Sequence, residues 1–382
     1  MARLGDICKF QSGGTPSKGE PSYFNGNIPW ITTVALNGSI IDESYAVDWI
    51  TEKAIEKSAA KVVPANSVMV GTRVGVGKVA INKVPMSTSQ DIISLLDIDE
   101  SKWSKEFVCK FILGKATYLN SQARGATIKG IKIETLAGLQ LPDIPLEQQY
   151  KLAAAINAVD NLIALRKEQL AKLDQLVKSR FVELFGECKK QTSIKESGLT
   201  ISDGNYSSKY PRSEEFVESG IPFIRANNLK NGTVVDEDMY FITPKKHAIL
   251  LKGHLKSNDV LITTRGNIGQ VAIVPKKHND SNINAQIVLL RDENDRFVPQ
   301  YLLWALQTEE AKSQYIELQT GTALKQLPVG RLEQVIIKEP PIELQEQFAT
   351  FVEQTDKSKL AILQSLGKLE LLKKALMQEY FG

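Results

Sequence analysis

The chain is written twice. Gly125-Ala126-Thr127-Ile128-Lys129 returns 196 residues later as Gly321-Thr322-Ala323-Leu324-Lys325, Pro145-Leu146-Glu147 as Pro341-Ile342-Glu343, and Phe185-Gly186 as Phe381-Gly382. Earlier in the unit the offset shortens: Thr72-Arg73-Val74-Gly75-Val76-Gly77 matches Thr264-Arg265-Gly266-Asn267-Ile268-Gly269 at 192, and Ile28-Pro29-Trp30-Ile31 matches Ile221-Pro222-Phe223-Ile224 at 193. Insertions therefore fall inside the unit, as loop changes do. The period far exceeds the roughly 20–50 residues of solenoid repeats, so each unit is a domain plus a connector. Two similar readers on one chain suit a target with two similar parts.

After Pro145 the texture changes to a helical pattern free of Gly and Pro until Gly186. Ile156, Val159, Ile163, Leu170, Leu173, Val177 and Leu184 follow three-four spacing, the seam of a coiled coil. A helix of about 38 residues spans roughly 57 Å, longer than one domain requires. The second copy repeats the seam with Val352, Ile362, Leu366, Leu369, Leu376 and Tyr380. Arg166 and Arg180 correspond to apolar Ile362 and Leu376, while Lys359 and Lys373 correspond to apolar Ile163 and Val177. This complementarity predicts that the two helices pack on each other; the simpler alternative lays each on its own domain. Antiparallel pairing would give a rod with a globular domain at each end and an approximate two-fold axis.

Before each helix the pattern is mixed. Ile28 to Val34, Ser67 to Gly71, Lys78 to Ile81 and Asp91 to Leu96 read as strands, rich in β-branched residues and bounded by Gly, Pro and Asn. Lys105 to Asn120 reads as a helix, with Val298 to Leu318 as its counterpart. The expected fold class is mixed α/β (α+β) in two copies, joined by two long antiparallel coiled-coil helices.

Charge and cysteine content narrow the function classes. Lys plus Arg number 47 against 44 Asp plus Glu, a balance that permits a nucleic-acid partner only if charge is segregated. No stretch approaches the ~18 continuous apolar residues of a membrane span, and the start lacks an apolar signal core. Cys8, Cys109 and Cys188 are scattered, which points away from disulfides and towards a reducing cytoplasm. His247, His254 and His278 occur only in the second copy, at no metal-ligand spacing; they are expected to be surface or packing residues, and no metal centre is expected.

Catalytic motifs fail on inspection. Gly71 and Gly77 enclose five residues rather than the four of a phosphate loop, with Val79 where Ser or Thr should bind magnesium. Gly75-x-Gly77 leads into a strand-like run rather than a helix, so it is no dinucleotide fingerprint. No Asn-Pro-Pro-aromatic methyltransferase motif, Ser-His-Asp arrangement or helicase motif occurs, and no catalytic residue is assigned.

What both copies keep is suited to holding DNA. Thr72-Arg73 and Thr264-Arg265 open glycine-bearing turns, with Lys78 and Asn267 nearby; such a guanidinium can address guanine or clasp a phosphate, or simply pair with a carboxylate. Thr127 and Lys129, like Thr322 and Lys325, combine a hydroxyl, an ammonium and a flexible turn, apt for a phosphate or for an ordinary N-cap. Gln90 and Gln286 enter matching strands and could read adenine, or be merely solvated. The segments that differ most include Gln11 to Asn27 against Ser202 to Gly220. The tracts after Ile31 and Ile224 also differ, offering Thr32 and Thr33 against Arg225, Asn227 and Asn228.

With the repeat, the long helices and the opening Leu4-Gly5-Asp6-Ile7-x-x-Phe10-x-Ser12-Gly13-Gly14-Thr15-Pro16, the chain resembles the DNA specificity subunits of type I restriction-modification systems. Ser202-Asp203-Gly204-Asn205 replaces that opening in the second half. The resemblance implies target recognition domains at 1–144 and 187–340, and spacer helices at 145–186 and 341–382. It implies a bipartite double-stranded DNA site, two adenine methyltransferase subunits docked on the helices, and two ATP-dependent restriction/translocase subunits. The chain itself would be non-catalytic and cofactor-free, with S-adenosylmethionine, ATP and magnesium bound by partners. The competing reading is a coiled-coil scaffold without sequence-specific DNA binding.

Overall fold

The computed structural model describes residues 1–125, 127–206, 209–322 and 324–382; Ala126 and Ala323 of the repeated turn, and Ser207 and Ser208, lie outside them. The chain forms two compact units: Met1–Glu168 with Ile362–Gly382, and Gln169–Ala361. Their boundaries fall inside the two long helices, Leu146–Phe185 and Ile342–Phe381, each 40 residues. Each unit is thus closed by part of both helices. Among the described residues no helix is long and apolar enough to cross a membrane.

The first unit is built on a five-stranded sheet in the order Lys9–Ser12, Ile92–Leu96, Val68–Gly71, Val79–Asn82 and Ile40–Ile41. Val68-Met69-Val70 and Val79-Ala80-Ile81 are apolar without alternation because both faces of this sheet are covered. Val68, Val70, Val79 and Ile81 meet Phe107, Phe111 and Ile112, with Leu152, Ile156 and Phe381 of the long helices. Met69, Ala80 and Ile92 face Ile31, Val63 and Met86 of a second sheet, ordered Asp48–Ile50, Phe24–Ile31, Met86–Thr88, Val62–Val63.

The opening motif is used for close packing. Gly13 and Gly14 donate backbone hydrogen bonds to Ile92 O and Thr88 O, and Trp30 Nε1 donates to Gly14 O at 3.1 Å. A Cβ on Gly14 would stand 2.0 Å from the Ala59 carbonyl oxygen, so no larger residue fits there.

The second unit repeats this topology. Its main sheet runs Thr200–Asp203, Ile287–Arg291, Val260–Thr263, Val271–Ile273, Thr233–Val234 and Leu229–Lys230. Val260, Ile262, Val288 and Leu290 pack against an aromatic cluster in which Phe181, Phe185 and Phe348 of the long helices surround Tyr301 and Trp304.

A repeated glutamine fastens each long helix to the domain before it. Gln149 is buried; its Oε1 accepts from Ser104 N at 2.9 Å, and its Nε2 donates to Lys102 O and Ile144 O. Gln345, also buried, does the same with Val298 N, Arg296 O and Pro340 O. Each amide satisfies three backbone groups that would otherwise be orphaned at the helix entrance.

Within each unit the helix segments run antiparallel. In the first, Lys167 pairs with Glu370 and Asp160 with Lys373; in the second, Asp174 pairs with Lys359, and Phe181 meets Phe348. The polar substitutions in the seam are therefore answered across it: Lys359 reaches Asp174 at 2.7 Å and Lys373 reaches Asp160 at 2.6 Å.

Several elements differ from expectation. Tyr380 is exposed and Phe381 takes the buried place, because the helix end turns that residue onto Phe107 and Phe111. The expected helix 105–120 is two, Lys105–Gly114 and Ala116–Gln122, broken where Gly114 admits the second long helix; a Cβ on it would meet Met377 and Phe381 at 3.0–3.1 Å. Its counterpart splits into Pro299–Ala305 and Glu309–Leu318, the second restarted by the Thr308 hydroxyl accepting from Ala311 N. The strand expected to reach Val34 ends at Ile31, where Thr33–Ala35 forms a 3-10 turn.

Candidate nucleic-acid interface

In the first unit the loop between Val68–Gly71 and Val79–Asn82 is closed by Gly77 N donating to Gly71 O at 2.9 Å and Gly71 N to Lys78 O at 2.8 Å. Gly75 and Gly77 adopt φ of +74° and +78°, the left-handed region that favours glycine. Gly77 also lies flat on helix Ala116–Gln122, and Asn120 Nδ2 donates to Val76 O at 2.8 Å. Held from behind in this way, the loop exposes Arg73, Val74 and Lys78.

Two further loops join it. Thr72 donates to Asp91 O from both its backbone N and its hydroxyl, at 2.8 and 3.2 Å, which ties in the turn at 89–91. Ile131 N donates to Thr72 O at 2.8 Å, and Arg124 and Gly130 exchange backbone hydrogen bonds, which docks the hairpin 124–130. Gly130 leaves room for Arg73, whose Cγ a Cβ there would approach at 2.9 Å. Arg73, Lys78, Gln90, Thr127 and Lys129 are thus exposed on one cluster of loops. Arg73 stands 3.9 Å from Asp91 with its side chain 53% exposed, a loose pair that leaves the guanidinium accessible. No ion pair joins Lys78 or Lys129 to a described residue.

The second unit builds the same cluster. Thr264 N and Oγ1 donate to Gln286 O, Leu327 N donates to Thr264 O, and Arg265 bridges Gln326, which in turn bridges Thr320. Asn267, Gln286, Thr322 and Lys325 are exposed. Arg265 lies over the Tyr206 ring at 4.8 Å, and Tyr206 donates its hydroxyl to Ala285 O at 2.9 Å. Burial lifts the Tyr206 phenol above its ordinary range against the opposing charge of Arg265, so it stays a donor.

The sequence match places both units in a known family. The model of the type I restriction modification DNA specificity domain matches residues 1–175 and again 199–374. The chain belongs to that family. It is the DNA-recognition subunit of a type I restriction-modification system, the component that carries no catalytic activity.

The specificity subunit of the type I restriction enzyme MjaIX from Methanocaldococcus jannaschii is 26% identical over 92% of this chain and 85% of its own length. That of EcoR124I/EcoR124II from Escherichia coli is 29% identical over 42% of this chain and 40% of its own. Among solved structures, one of type I system assembly and conformational transition covers all of this chain and 96% of its own at TM-score 0.66 and 18% identity. The S subunit from M. genitalium covers all of this chain and 95% of its own at TM-score 0.59 and 14% identity. At these identities the structures show the shared fold.

Within the specificity subunit, several expected contacts are rearranged. Thr72 and Thr264 are buried and their hydroxyls are spent on backbone carbonyls, so they brace the loops and do not face outward. Gln90 and Gln286 do not occupy matching positions. Ile92 pairs with Gly71 as Ile287 pairs with Thr263, which aligns Gln90 with Ala285 and Asp91 with Gln286. The two glutamines thus stand one position apart on the same turn, and a one-residue difference points a side chain elsewhere. Arg225 is engaged internally, 3.4 Å over the Tyr240 ring and donating to Asp238 O at 2.7 Å, whereas Asn227 is exposed. Thr33 and Asn228 are buried, Asn228 with its amide on Val235 O and Glu237 O.

Arg124 and Tyr206 join the clusters without having been foreseen. Neither has a like residue in the other copy, since Thr320 stands opposite Arg124 in the repeat, so comparing copies could not single them out. The histidines are packed to different degrees. His278 is packed and lies 2.9 Å from Asp236, but His247 and His254 meet, ring nitrogen to ring nitrogen, at 3.1 Å.

Proposed function

We propose that each recognition domain reads one half of a bipartite double-stranded DNA site through its cluster of three loops. The observation that carries this is the convergence in each copy of an arginine turn and a Gly-Thr-Lys type hairpin, with lysines that make no ion pair with a described residue. Lys129, Lys325 and Lys78 are suited to phosphates; Arg73, Arg265, Asn267, Gln90 and Gln286 are suited to base edges. Thr127, Thr322 and Asn227 supply neutral polar contacts beside them.

The two long helices set the unread spacer and dock two adenine methyltransferase subunits, with two restriction/translocase subunits completing the assembly in the cytoplasm. Leu176 and its repeat partner Leu372 support this: they are 49% and 48% exposed on equivalent helix positions, as two identical partners would require. S-adenosylmethionine, ATP and magnesium belong to those partners. The domains run 1–144 and 187–340, with the spacers at 145–186 and 341–382.

The test is competition binding with the methyltransferase subunits present. Lys129→Ala and Lys325→Ala should each weaken binding about equally for all sequences and lower the salt slope by about 1. Arg73→Ala should relax one half-site, by about 1–3 kcal/mol of discrimination, and leave the other untouched. Equal relaxation of both half-sites would overturn the division of labour. Affinity indifferent to sequence in the unmodified complex would favour the scaffold reading.

A further inference from the structure

His247, His254 and Asp280 reach one another from three separate segments of the second recognition domain. His247 sits on helix Pro244–Ile249, capped by the Thr243 hydroxyl; His254 lies opposite Asn282 in an isolated bridge; Asp280 occupies a turn at φ +63°. That turn is pinned by Asp280 N donating to Leu255 O and Leu255 N to Ser281 O. His254 Nδ1 is 3.1 Å from His247 Nε2, His247 Nε2 is 3.3 Å from Asp280 Oδ1, and all three donor atoms lie within 4.8 Å of one another.

The protons can be placed. His254 Nε2 faces Leu250 O at 2.7 Å, and a carbonyl only accepts, so this nitrogen carries the hydrogen and a neutral ring presents its Nδ1 lone pair to the cluster. Donation of the second ring N–H to a backbone carbonyl is how metal-bound histidines are oriented. At metal–nitrogen distances of about 2.0–2.1 Å, tetrahedral ligands stand roughly 3.3 Å apart; two of the separations here are 3.1 and 3.3 Å, and the third pair of atoms lies within 4.8 Å, a small closure from such a set. Asp280 is 74% exposed, which leaves a fourth position open to water.

The first domain shows what the same scaffold does without these groups. Thr51 caps its helix as Thr243 does, Val62 pairs with Ser87 as His254 pairs with Asn282, and Ser87 and Asn282 pair alike with Trp30 and Phe223. By this register Ile55, Val62 and Pro85 stand where His247, His254 and Asp280 do. Three apolar residues at these places in one domain are replaced by three convergent ligands in the other.

We infer that His247, His254 and Asp280 form a site for a zinc-like divalent transition-metal ion, which ties the helix 244–249 to the turn at 280. Two imidazoles and one carboxylate suit zinc, nickel or copper and not magnesium or calcium. The run from Asp280 leads to Gln286, whose carbonyl holds Thr264, so the ion would stiffen the scaffold of one loop cluster.

The full chain, stripped with a chelator and then desalted after exposure to zinc chloride, should retain one equivalent of zinc and show a raised melting temperature, with magnesium chloride giving neither. His254→Ala should lose that equivalent. Asp280→Asn, at an exposed position that leaves the metal-free melting temperature unchanged, should weaken zinc affinity at least tenfold. Zinc uptake by the wild type that both variants match would assign the metal to other groups and overturn the proposal. No uptake by the wild type would also overturn it, leaving a histidine–histidine hydrogen bond.

Discussion

Phe381→Ala is expected to destabilise the first unit by about 3–5 kcal/mol, although the residue lies some 270 positions beyond the helix it packs against. Phe381 is only 2% exposed and sits 5.4 Å from the Phe107 ring and 5.8 Å from Phe111, filling the space that Gly114 leaves open. Truncating it removes the transfer free energy of a buried ring and leaves a cavity lined by a helix and a rigid sheet, which cannot collapse to refill it. Hydrogen exchange locates the effect: amides in Val68–Gly71 should lose protection while those in Val260–Thr263 keep theirs. Phe185→Ala should do the reverse, since Phe185 is buried against Tyr301 and Phe348 in the second unit. Equal loss in both strands after either substitution would mean that the compact units do not unfold separately.

Asp160→Ala should cost a similar ~3–5 kcal/mol, through charge rather than volume. Lys110 has a side chain 5% exposed, and its ammonium donates to Asp160 Oδ2 at 3.1 Å and to Gly38 O at 3.2 Å. Lys373 holds the other carboxylate oxygen at 2.6 Å. Without the carboxylate, a buried ammonium keeps one neutral acceptor. Lys110→Met removes that charge, so adding it to Asp160→Ala should restore much of the loss, and urea denaturation of the single and double variants measures the recovery.

The same pair gives a pH dependence. Burial pushes the Asp160 carboxyl up, but the hydrogen bonds from Lys373 and Lys110 outweigh it and hold the group below its ordinary 3.8. The unfolded chain therefore binds this proton more readily, so the contribution is present above about pH 4 and is lost as pH falls through the lower folded value. Asp160→Asn should flatten the acid limb of the stability profile relative to the wild type; an unchanged limb would show that other carboxylates govern it.

Much of this protein is legible in its residues because the signals are local. Duplication gives two domains, the three-four apolar spacing repeated in both copies gives two long helices, and paired glycines beside Thr-Arg give two turns that must lie on the surface. The family follows from those same motifs. Residues such as Arg73, Lys129 and Lys325 were recognisable as candidates because chemistry and position recur together in both copies.

The tertiary structure decided what spacing cannot encode: which surfaces meet. A seam position shows that a residue is buried, not that Phe381 completes the core of residues 68–112 while Phe181 and Phe185 serve the other unit. Strand register turns on a single residue, so the apparent match of Gln90 with Gln286 dissolved once the ladders aligned Gln90 with Ala285. Thr72 and Thr264 turned inward because a backbone carbonyl across the sheet was nearer than solvent. His247, His254 and Asp280 are separated by seven and 26 residues and share no periodicity, so only the folding of a helix, a bridge and a turn onto one another brought their ligand atoms together. Local pattern is set by backbone geometry over a few residues, whereas long-range contact is set by how apolar faces exclude water together, and that sum is taken over the whole chain.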